Sequence, residues 1–467
     1  MNLSRQDVLW SYTAQLLKIA SGLLVLPLIL RVLSVEEIAL NYLLTTLGTL
    51  VALFDFGFAP QFARNITYVF SGAKGLKRQG VDVVDYTDEI SYPLLAAMIE
   101  TAKYTYRRIA LTVVLFLVTF GTWYIYRITD GFQSIENALP IWCITIVSTF
   151  LGFYFTYFDS LLIGRGLIKE AQKATIIAKL TYILGTVLFL NLGWGLLGVV
   201  ISNLISLFIY RSVSYNFFYD STFRNNLQGI KVDREQKDEL FGILWHNASK
   251  LGLVFVSAYA INNFSMFLAG LYLPSKEVAS YGILIQLVGI ISTISGTLFT
   301  SFNPVFSSLR ISGDKNRLLK TFAFSMHVYY FFYILGALIL IGLGPFVLNY
   351  IGANVILPAI PVMLLYCTVI LLEGNHSNFA TLIVSNNEVP FFKSSIIAGF
   401  FVLIGDYLVL NYTAYGIMGL IAVQGIVQLC YANWKWPTVI CREFGINFIH
   451  FLGMGFTESW NKIKSIL

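Results

Sequence analysis

The residues of this 467-residue chain that could do chemistry are ionisable or polar side chains inside long apolar stretches. A charged group in the hydrocarbon core of a membrane costs several kcal/mol unless it faces a cavity or a partner, so each is a candidate site. Two roles are open to them: binding an anionic substrate, and ion pairing or carrying a coupling ion. The candidates for substrate binding are Gln15, Lys18, Arg64, His246 and Lys250, and those for ion coupling or charge pairing are Asp55, Lys179, Glu373, His376 and Asp406.

The substrate-binding candidates occupy matching places in two apolar stretches. Gln15 and Lys18 share one helical face in the first stretch, and His246 and Lys250 share one in the seventh. Two lysines facing a central cleft would attract an anion such as a phosphate or diphosphate. The alternative is that both lysines extend to the cytoplasmic interface. Arg64 marks the inner end of the second stretch.

Two further ionisable residues lie in the first half of the chain. Lys179 is predicted to pair with a carboxylate within its own half. Asp55 lies in an apolar segment and could pair with Lys18 or Lys179, or it could carry a proton.

The acids of the second half have two interpretations. Glu373 and Asp406 could be proton or sodium sites, or protonated or hydrogen-bonded structural acids. Glu373 and His376 also form half of a carboxylate-bridged metal motif, but that chemistry needs matching ligands from four helices, so no metal site is predicted. No Walker motif appears in the sequence, so nucleotide hydrolysis is not expected. Apart from a coupling proton or sodium ion, no cofactor is predicted.

The composition indicates which environment surrounds these residues. Hydrophobic residues make up 57% of the chain, charged residues only 12%, and the mean hydropathy is +0.72. A soluble protein is closer to half apolar and one quarter charged. A soluble multi-domain enzyme, a disordered protein and a nucleic-acid binder are therefore all disfavoured. The four cysteines form neither a metal spacing nor a disulfide framework.

The apolar stretches predict an all-α polytopic membrane protein. A helix needs about 20 mostly apolar residues to cross the hydrocarbon core. Twelve stretches reach that length: 8–30, 37–62, 108–128, 138–163, 173–192, 195–217, 241–272, 278–304, 321–350, 355–384, 391–411 and 414–436. Most lysines and arginines then fall on one side, which predicts that both termini are cytoplasmic and that the outer loops are short.

The two halves of the chain resemble each other. Residues 173–178 are similar to 393–398, and the match continues through Gly185 and Gly405 to Gly198 and Gly419. A second match relates the segments around Pro60 and Pro304 in the second and eighth stretches. Two parallel six-helix repeats are predicted, with a site near the membrane midplane between them, an arrangement that favours a transporter over a channel or an enzyme. The predicted domains are an N-lobe, a cytoplasmic linker, a C-lobe and an amphipathic tail, at residues 1–217, 218–240, 241–436 and 437–467.

Three polar or amphipathic segments have more local interpretations. Ser34 followed by Glu36 and Glu37 predicts the start of a helix. Residues 90–109 carry apolar side chains at helical spacing, which predicts an interfacial helix on the cytoplasmic leaflet before the third span. The tail at 446–467 has the same pattern.

Short segments of the sequence resemble a known family. They are Trp10 to Ile19, Leu33 to Glu37, Asp55 to Arg64, the Gly164–Gly166 turn and the Ser385–Pro390 turn. They are similar to the Wzx-type O-antigen and polysaccharide flippases of the multidrug/oligosaccharidyl-lipid/polysaccharide (MOP) superfamily. The resemblance implies two six-helix lobes in a V around a central cavity lined mainly by spans 1, 2, 7 and 8, with Lys18 and Lys250 as its cations.

The resemblance also implies a function and a location. The expected substrate is an undecaprenyl-diphosphate-linked oligosaccharide repeat unit, moved to the periplasmic leaflet of a bacterial inner membrane. The expected partners are this lipid-linked substrate, membrane lipids and the polysaccharide polymerase machinery, with no nucleic acid.

Other functions remain open. A multidrug antiporter of the same superfamily is the nearest alternative, and it would favour acids over lysines in the cavity. A membrane-embedded glycan polymerase or acyltransferase is disfavoured, because it would need a large external catalytic loop that the sequence does not provide. A membrane scaffold without transport activity would have no need for the repeat or for buried charges.

Overall fold

The computed structural model describes residues 5–76, 90–384 and 391–464, and the described residues form helices without any β-strand. The helices are α1 Arg5–Val32, α2 Val35–Ala52, α3 Phe58–Phe70, α4 Tyr92–Phe116, α5 Thr122–Ile128, α6 Ala138–Tyr154, α7 Tyr157–Gly164, α8 Ile168–Asn191, α9 Gly195–Phe218, α10 Ser221–Leu227, α11 Arg234–Asn262, α12 Phe264–Tyr272, α13 Ser275–Ser301, α14 Asn303–Ile311, α15 Lys315–Tyr350, α16 Ile360–Val384, α17 Phe392–Tyr412, α18 Gly416–Cys430, α19 Ala432–Glu443 and α20 Phe448–Lys464.

Ten helical segments of the described residues are long and apolar enough to cross a membrane. They are Val35–Asp55, Tyr92–Ile128, Ala138–Gly164, Ile168–Asn191, Gly195–Phe218, Ser275–Arg310, Lys315–Tyr350, Ile360–Val384, Phe392–Tyr412 and Gly416–Glu443, and Ser21–Val32 is a shorter apolar helix. Two predicted stretches, 8–30 and 241–272, do not appear among the ten, although α1 and α11 run through them. Many of their side chains lie outside the described part of the structure. The prediction of an all-α polytopic membrane protein is confirmed.

The chain divides into two compact units, Met1–Val256 and Ser257–Leu467. The division falls inside α11 because the first half of that helix contributes Leu240, Leu244 and Ala248 to the hydrophobic core of the first unit. The sequence places the beginning of the C-lobe earlier, at residue 241, where the apolar stretch begins. That boundary follows hydropathy, whereas the compact units follow side-chain packing.

Matching glycines have the same packing role in the two units. A β-carbon at Gly185 of α8 would lie 2.9 Å from Ser202 Oγ of α9, and one at Gly405 of α17 would lie 2.6 Å from Val423 Cγ1 of α18. Gly198 of α9 approaches α8 at Phe189, and Gly419 of α18 approaches α17 at Val409, so closely that a β-carbon would collide there too. Only glycine permits this separation, so the repeated glycines mark the same helix crossing in each half.

Each unit also contains a glutamate that faces the beginning of a later helix. Ser34 and Glu37 form a capping box at α2, which confirms the predicted helix start. Glu37 Oε1 also accepts the Leu196 backbone N–H at 2.7 Å, at the first turn of α9. In the second unit, a β-carbon on Gly416 at the start of α18 would lie 3.1 Å from Glu277 Oε2.

The helix predicted to lie on the membrane surface is part of a long continuous helix instead. α4 continues through a π-helical turn at Leu117–Gly121 into α5, giving 37 helical residues. The apolar face of its first half packs inside the first unit, where Leu95, Met98 and Tyr106 are fully buried. The prediction of an interfacial helix at 90–109 was wrong, because helical spacing alone does not distinguish a membrane surface from a protein core.

The predicted tail helix is present as α20, which packs along α15. Phe451 is buried against Phe322 and Phe379, with ring centroids 5.4 and 5.2 Å apart. Phe456 and Trp460 remain more than half exposed on another face. α20 is therefore fixed to the second unit by one apolar face and presents a second apolar face to its surroundings.

Candidate functional site

Asp55 occupies a break in the second predicted span. The helix ends in a 3₁₀ turn at Leu53–Asp55, and Phe56 and Gly57 adopt left-handed φ values of 47° and 80° before α3 begins. The carboxylate accepts the Ala59 backbone N–H at 3.2 Å through Oδ2 and the Tyr106 hydroxyl at 2.8 Å through Oδ1. Asp55 therefore joins the broken span to α4 and accepts a backbone N–H at the start of α3.

Two other candidates of the first unit have local neighbours. Lys179 in α8 lies above the ring of Tyr182, with its Nζ 5.7 Å from the ring centroid. Arg64 is exposed on α3 and donates to Gln61 Oε1. Pairing of Lys179 with a carboxylate, and binding of substrate by Arg64, stay predictions.

Gln15, Lys18, His246 and Lys250 lie in the helices that the sequence predicts. α1 and α11 pass through these positions without a break. The side chains of all four lie outside the described part of the structure, as do residues 77–89 and the Ser385–Pro390 turn. Their assignment to an anion site stays a prediction.

Glu373 and His376 meet inside the second unit. Glu373 Oε1 lies 3.6 Å from His376 Nε2 and accepts from Gln428 at 3.4 Å, while Oε2 is buried without a hydrogen-bond partner. The other ring nitrogen of His376 lies 2.7 Å from Asn433 Oδ1. The spacing on α16 thus brings an acid and a histidine together with amides from α18 and α19. No group of three or more metal-ligating side chains occurs among the described residues.

Asp406 is the most deeply buried acid among the described residues of α17 and its neighbours. Its side chain is fully buried, and Oδ2 accepts the Ser265 hydroxyl of α12 at 2.7 Å. Oδ1 has no hydrogen-bond partner. Leaving a buried carboxylate oxygen unsatisfied is costly, and a proton or a cation at this group would offset that cost. Thr186, at the matching position of α8, is also fully buried but cannot ionise.

Three of the ion pairs that were not predicted from the sequence join separate elements of the fold. Asp159 of α7 accepts from Tyr210 at 2.7 Å and from Arg211 at 3.0 Å, both on α9. Arg310 of α14 forms a two-pronged pair with Glu443 of α19. Arg211 lies near the end of the predicted stretch 195–217 and Arg310 follows the stretch 278–304, so neither arginine was expected to need a partner. Asp159 lies inside the predicted apolar stretch 138–163, and an acid in such a stretch could have indicated a buried ion pair.

The third unpredicted pair holds the segment after α9. Arg165 donates to Asp220 Oδ2 at 2.7 Å and to the Phe218 carbonyl, and its guanidinium lies 4.4 Å from the centroid of the Phe223 ring. Asp220 also caps α10 by accepting the Phe223 backbone N–H. The Arg165 hydrogen bond holds the pKa of Asp220 below its ordinary value.

Solved structures share this architecture, although sequence comparisons find no relatives. No protein-family model matches the chain, and no curated protein matches it significantly. The fold is similar to the inward-facing conformation of a multidrug resistance MATE family transporter of the MOP superfamily, with a TM-score of 0.68, 12% identity, and 95% of this chain and 96% of that chain covered. It is also similar to the lipid II flippase MurJ in an inward closed conformation, with a TM-score of 0.60, 15% identity, and 97% and 91% of the two chains covered.

A third similar structure is a MOP superfamily transporter from Pyrococcus furiosus Vc1, with a TM-score of 0.50, 11% identity and 95% of each chain covered. At these identities the similarity establishes the fold and not the substrate. The chain is a multi-pass, all-helical membrane protein with the two-lobed fold found in MOP superfamily transporters, which have about 12 helices. These three structures are transporters and a flippase rather than enzymes.

Proposed function

We propose that this protein is a flippase for undecaprenyl-diphosphate-linked oligosaccharide repeat units of O-antigen or another surface polysaccharide. It would move them from the cytoplasmic to the periplasmic leaflet of a bacterial inner membrane, with both of its termini in the cytoplasm. The observation that carries the proposal is the duplicated fold, with matching glycine crossings in the two units. Two similar halves meet the needs of alternating access around a midplane site.

The proposed substrate is supported by charge. Lys18 and Lys250 lie in matching helices of the two sequence repeats, and a diphosphate is the kind of group that two such cations would hold. The likeness to MurJ, a lipid II flippase, fits a lipid-linked substrate. Membrane lipids and the polysaccharide polymerase machinery would be the other partners.

We further propose that Asp406 couples transport to a proton or sodium gradient, with Glu373 and His376 as a second candidate pair. Asp406 Oδ1 and Glu373 Oε2 are both buried without a hydrogen-bond partner. A bound proton or sodium ion at either oxygen would therefore offset the cost of burying a carboxylate oxygen without a hydrogen bond.

Replacing Asp406 with asparagine is expected to reduce gradient-driven transport about tenfold or more, to the rate seen without a gradient. Asparagine keeps the volume and can still accept the Ser265 hydroxyl, but it cannot ionise. Transport is measured in proteoliposomes with and without an imposed proton or sodium gradient. Thr186→Val, at the matching buried position, is the control and should leave the gradient dependence unchanged. An Asp406→Asn protein that still responds fully to the gradient would show that Asp406 is a structural acid.

A second candidate function is a cation-coupled multidrug antiporter. The observation in its favour is the TM-score of 0.68 to a multidrug resistance MATE family transporter. The two functions predict different phenotypes, because loss of a drug antiporter sensitises cells to organic cations and loss of a flippase does not.

Deleting the gene is expected to cause lipid-linked repeat units to accumulate on the cytoplasmic side of the inner membrane. The measurement is extraction of the lipid-linked oligosaccharides, combined with a membrane-impermeant label that reports which leaflet holds them. Re-expression of the chain should restore surface glycan. Sensitivity to organic cations with normal surface glycan would support the antiporter instead.

A further inference from the structure

A cavity of about 320 Å³ lies in the first unit, between the first half of α4 and the segment that joins α9 to α11. Its polar lining comes from Glu100, Lys103, Tyr219 and Lys237, and its apolar lining includes Ile99 and Val232. Its volume is in the range of small-molecule sites, which begins at roughly 300 Å³. Neither the transport cycle nor the candidate sites described above uses this cavity.

The two lysines of the cavity are available to a ligand. The side chain of Lys237 has no ion pair or hydrogen bond with the described residues of the chain, although its backbone N–H donates to the Asp233 carbonyl at 3.3 Å. Lys103 pairs with Glu100 at 2.8 Å, one turn away on the same helix, and the side chains of both are more than 40% exposed. An exposed pair of this kind contributes little stability and exchanges partners easily. The two lysines and the Glu100 carboxylate together carry a net charge of +1, which favours an anionic ligand.

Tyr219 supplies a neutral donor beside the lysines. Burial, with smaller contributions from Tyr215 and the Glu100 carboxylate, raises its pKa to about 12, so the phenol keeps its proton. The ring is fixed by Tyr215 and Phe218, whose centroids lie 4.9 and 4.8 Å away. A hydroxyl donor that lines the same cavity as two ammonium groups suits an oxyanion ligand. It suits a cationic ligand, which would have to bind at Glu100, less well.

The span boundaries predicted from the sequence would place the cavity at the depth of the lipid headgroups. The continuous helix from Tyr92 to Ile128 has 37 residues and is about 55 Å long, well beyond a hydrocarbon core of about 30 Å. Lys103 precedes the predicted span at 108 by about 7 Å, and Lys237 precedes the predicted span at 241 by about 6 Å. The headgroup layer occupies a similar distance on each side of the core.

We propose that this cavity binds a polyol phosphate, a phosphate group with a neighbouring hydroxyl. The phosphate would lie between Lys103 and Lys237 with the Tyr219 hydroxyl donating to it, and the polyol hydroxyl would donate to Glu100. Such a group could be the headgroup of phosphatidylglycerol or a free glycerol phosphate. Because the walls come from α4 and from the segment before α11, the ligand would join the third span to the connection between the two halves of the chain.

The test measures dissociation constants of the purified full-length protein in detergent, from the dependence of its melting temperature on ligand concentration. The probes are phosphatidylglycerol, phosphatidylcholine, glycerol 3-phosphate and inorganic phosphate. Lys237→Gln is expected to weaken binding of the polyol phosphate about tenfold or more. Lys231→Gln, an exposed lysine of the same segment that does not line the cavity, should change it by less than about twofold. Lys103→Gln is the second variant if Lys237→Gln does not fold.

The possible results distinguish a ligand from the membrane from a ligand from the cytosol. They also test the lysine contacts and the hydroxyl contact separately. Binding of phosphatidylglycerol without glycerol 3-phosphate identifies the membrane as the source, and the reverse identifies the cytosol. Equal affinity for phosphatidylglycerol and phosphatidylcholine, or equal effects of Lys237→Gln and Lys231→Gln, would overturn the site. Inorganic phosphate binding as tightly as glycerol 3-phosphate, or a polyol preference that survives Glu100→Gln, would overturn the role of the hydroxyl.

Discussion

Under the proposed flippase function, alanine at both Lys18 and Lys250 is expected to lower translocation of the lipid-linked substrate on the order of 100-fold. A charged hydrogen bond to a phosphate oxygen contributes about 1.5–3 kcal/mol, and the double variant would remove two such proposed bonds. Each single alanine variant should retain part of the activity. The measurements are surface-glycan complementation and the fraction of lipid-linked repeat units on each leaflet.

The matched control for this pair is arginine at the same two positions. Arginine keeps the positive charge and can bind phosphate with two donors, so the doubly substituted protein should complement far better than the alanine variant. The melting temperature of every variant is compared in detergent, so that loss of folding is recognised. A stable double-alanine variant that restores surface glycan fully would remove both lysines from the substrate site.

Alanine at Gly195 is expected to lower the free energy of unfolding of the first unit by about 3 kcal/mol. The residue has a φ of +55°, which costs a side-chain-bearing residue about 1–2 kcal/mol. Its β-carbon would also collide with Glu37 Oε1, so the 2.7 Å bond from the Leu196 N–H to that oxygen would be lost. The measurement is the apparent melting temperature of the purified protein.

Gly193 provides a control two residues away. Its φ is +79°, and no atom lies within 4 Å of where its β-carbon would be. Gly193→Ala therefore has the conformational cost without the collision, and it should destabilise the protein less than Gly195→Ala. Equal losses for the two variants would mean that the contact between Glu37 and the start of α9 contributes nothing.

The sequence predicts the helical architecture well because hydropathy and helix caps are local properties. Ten of the twelve apolar stretches, the Ser34 helix start and the repeated glycines reappear in the structure. Breaks within spans are harder to predict. Phe56 adopts a left-handed φ that a bulky residue rarely tolerates, and nothing in the apolar sequence around it indicates this.

The sequence predicts which residues belong to the candidate site, but it does not predict which side chains they contact. Glu373 and His376 lie one turn apart, so their contact follows from helical periodicity. The partners of Asp406 and Asp159 come from other helices, Ser265 in one case and Arg211 in the other. Such pairs depend on how helices pack, which residue spacing along a single helix does not determine.

The π-helical turn at Leu117–Gly121 divides the long helix of the first unit into two parts with independent orientations. A turn that takes in one extra residue rotates all that follows by about 100° relative to an uninterrupted α-helix. The part before the turn can therefore keep Lys103 and Tyr106 directed at their neighbours. The end of the turn places Gly121 against Trp142, and the following helix begins with Thr122, whose hydroxyl accepts the Trp142 indole N–H at 2.9 Å. The turn therefore sets the rotation of the later helical part about the helix axis. An inserted or deleted residue within it would change which side chains of one part face their neighbours without changing those of the other part.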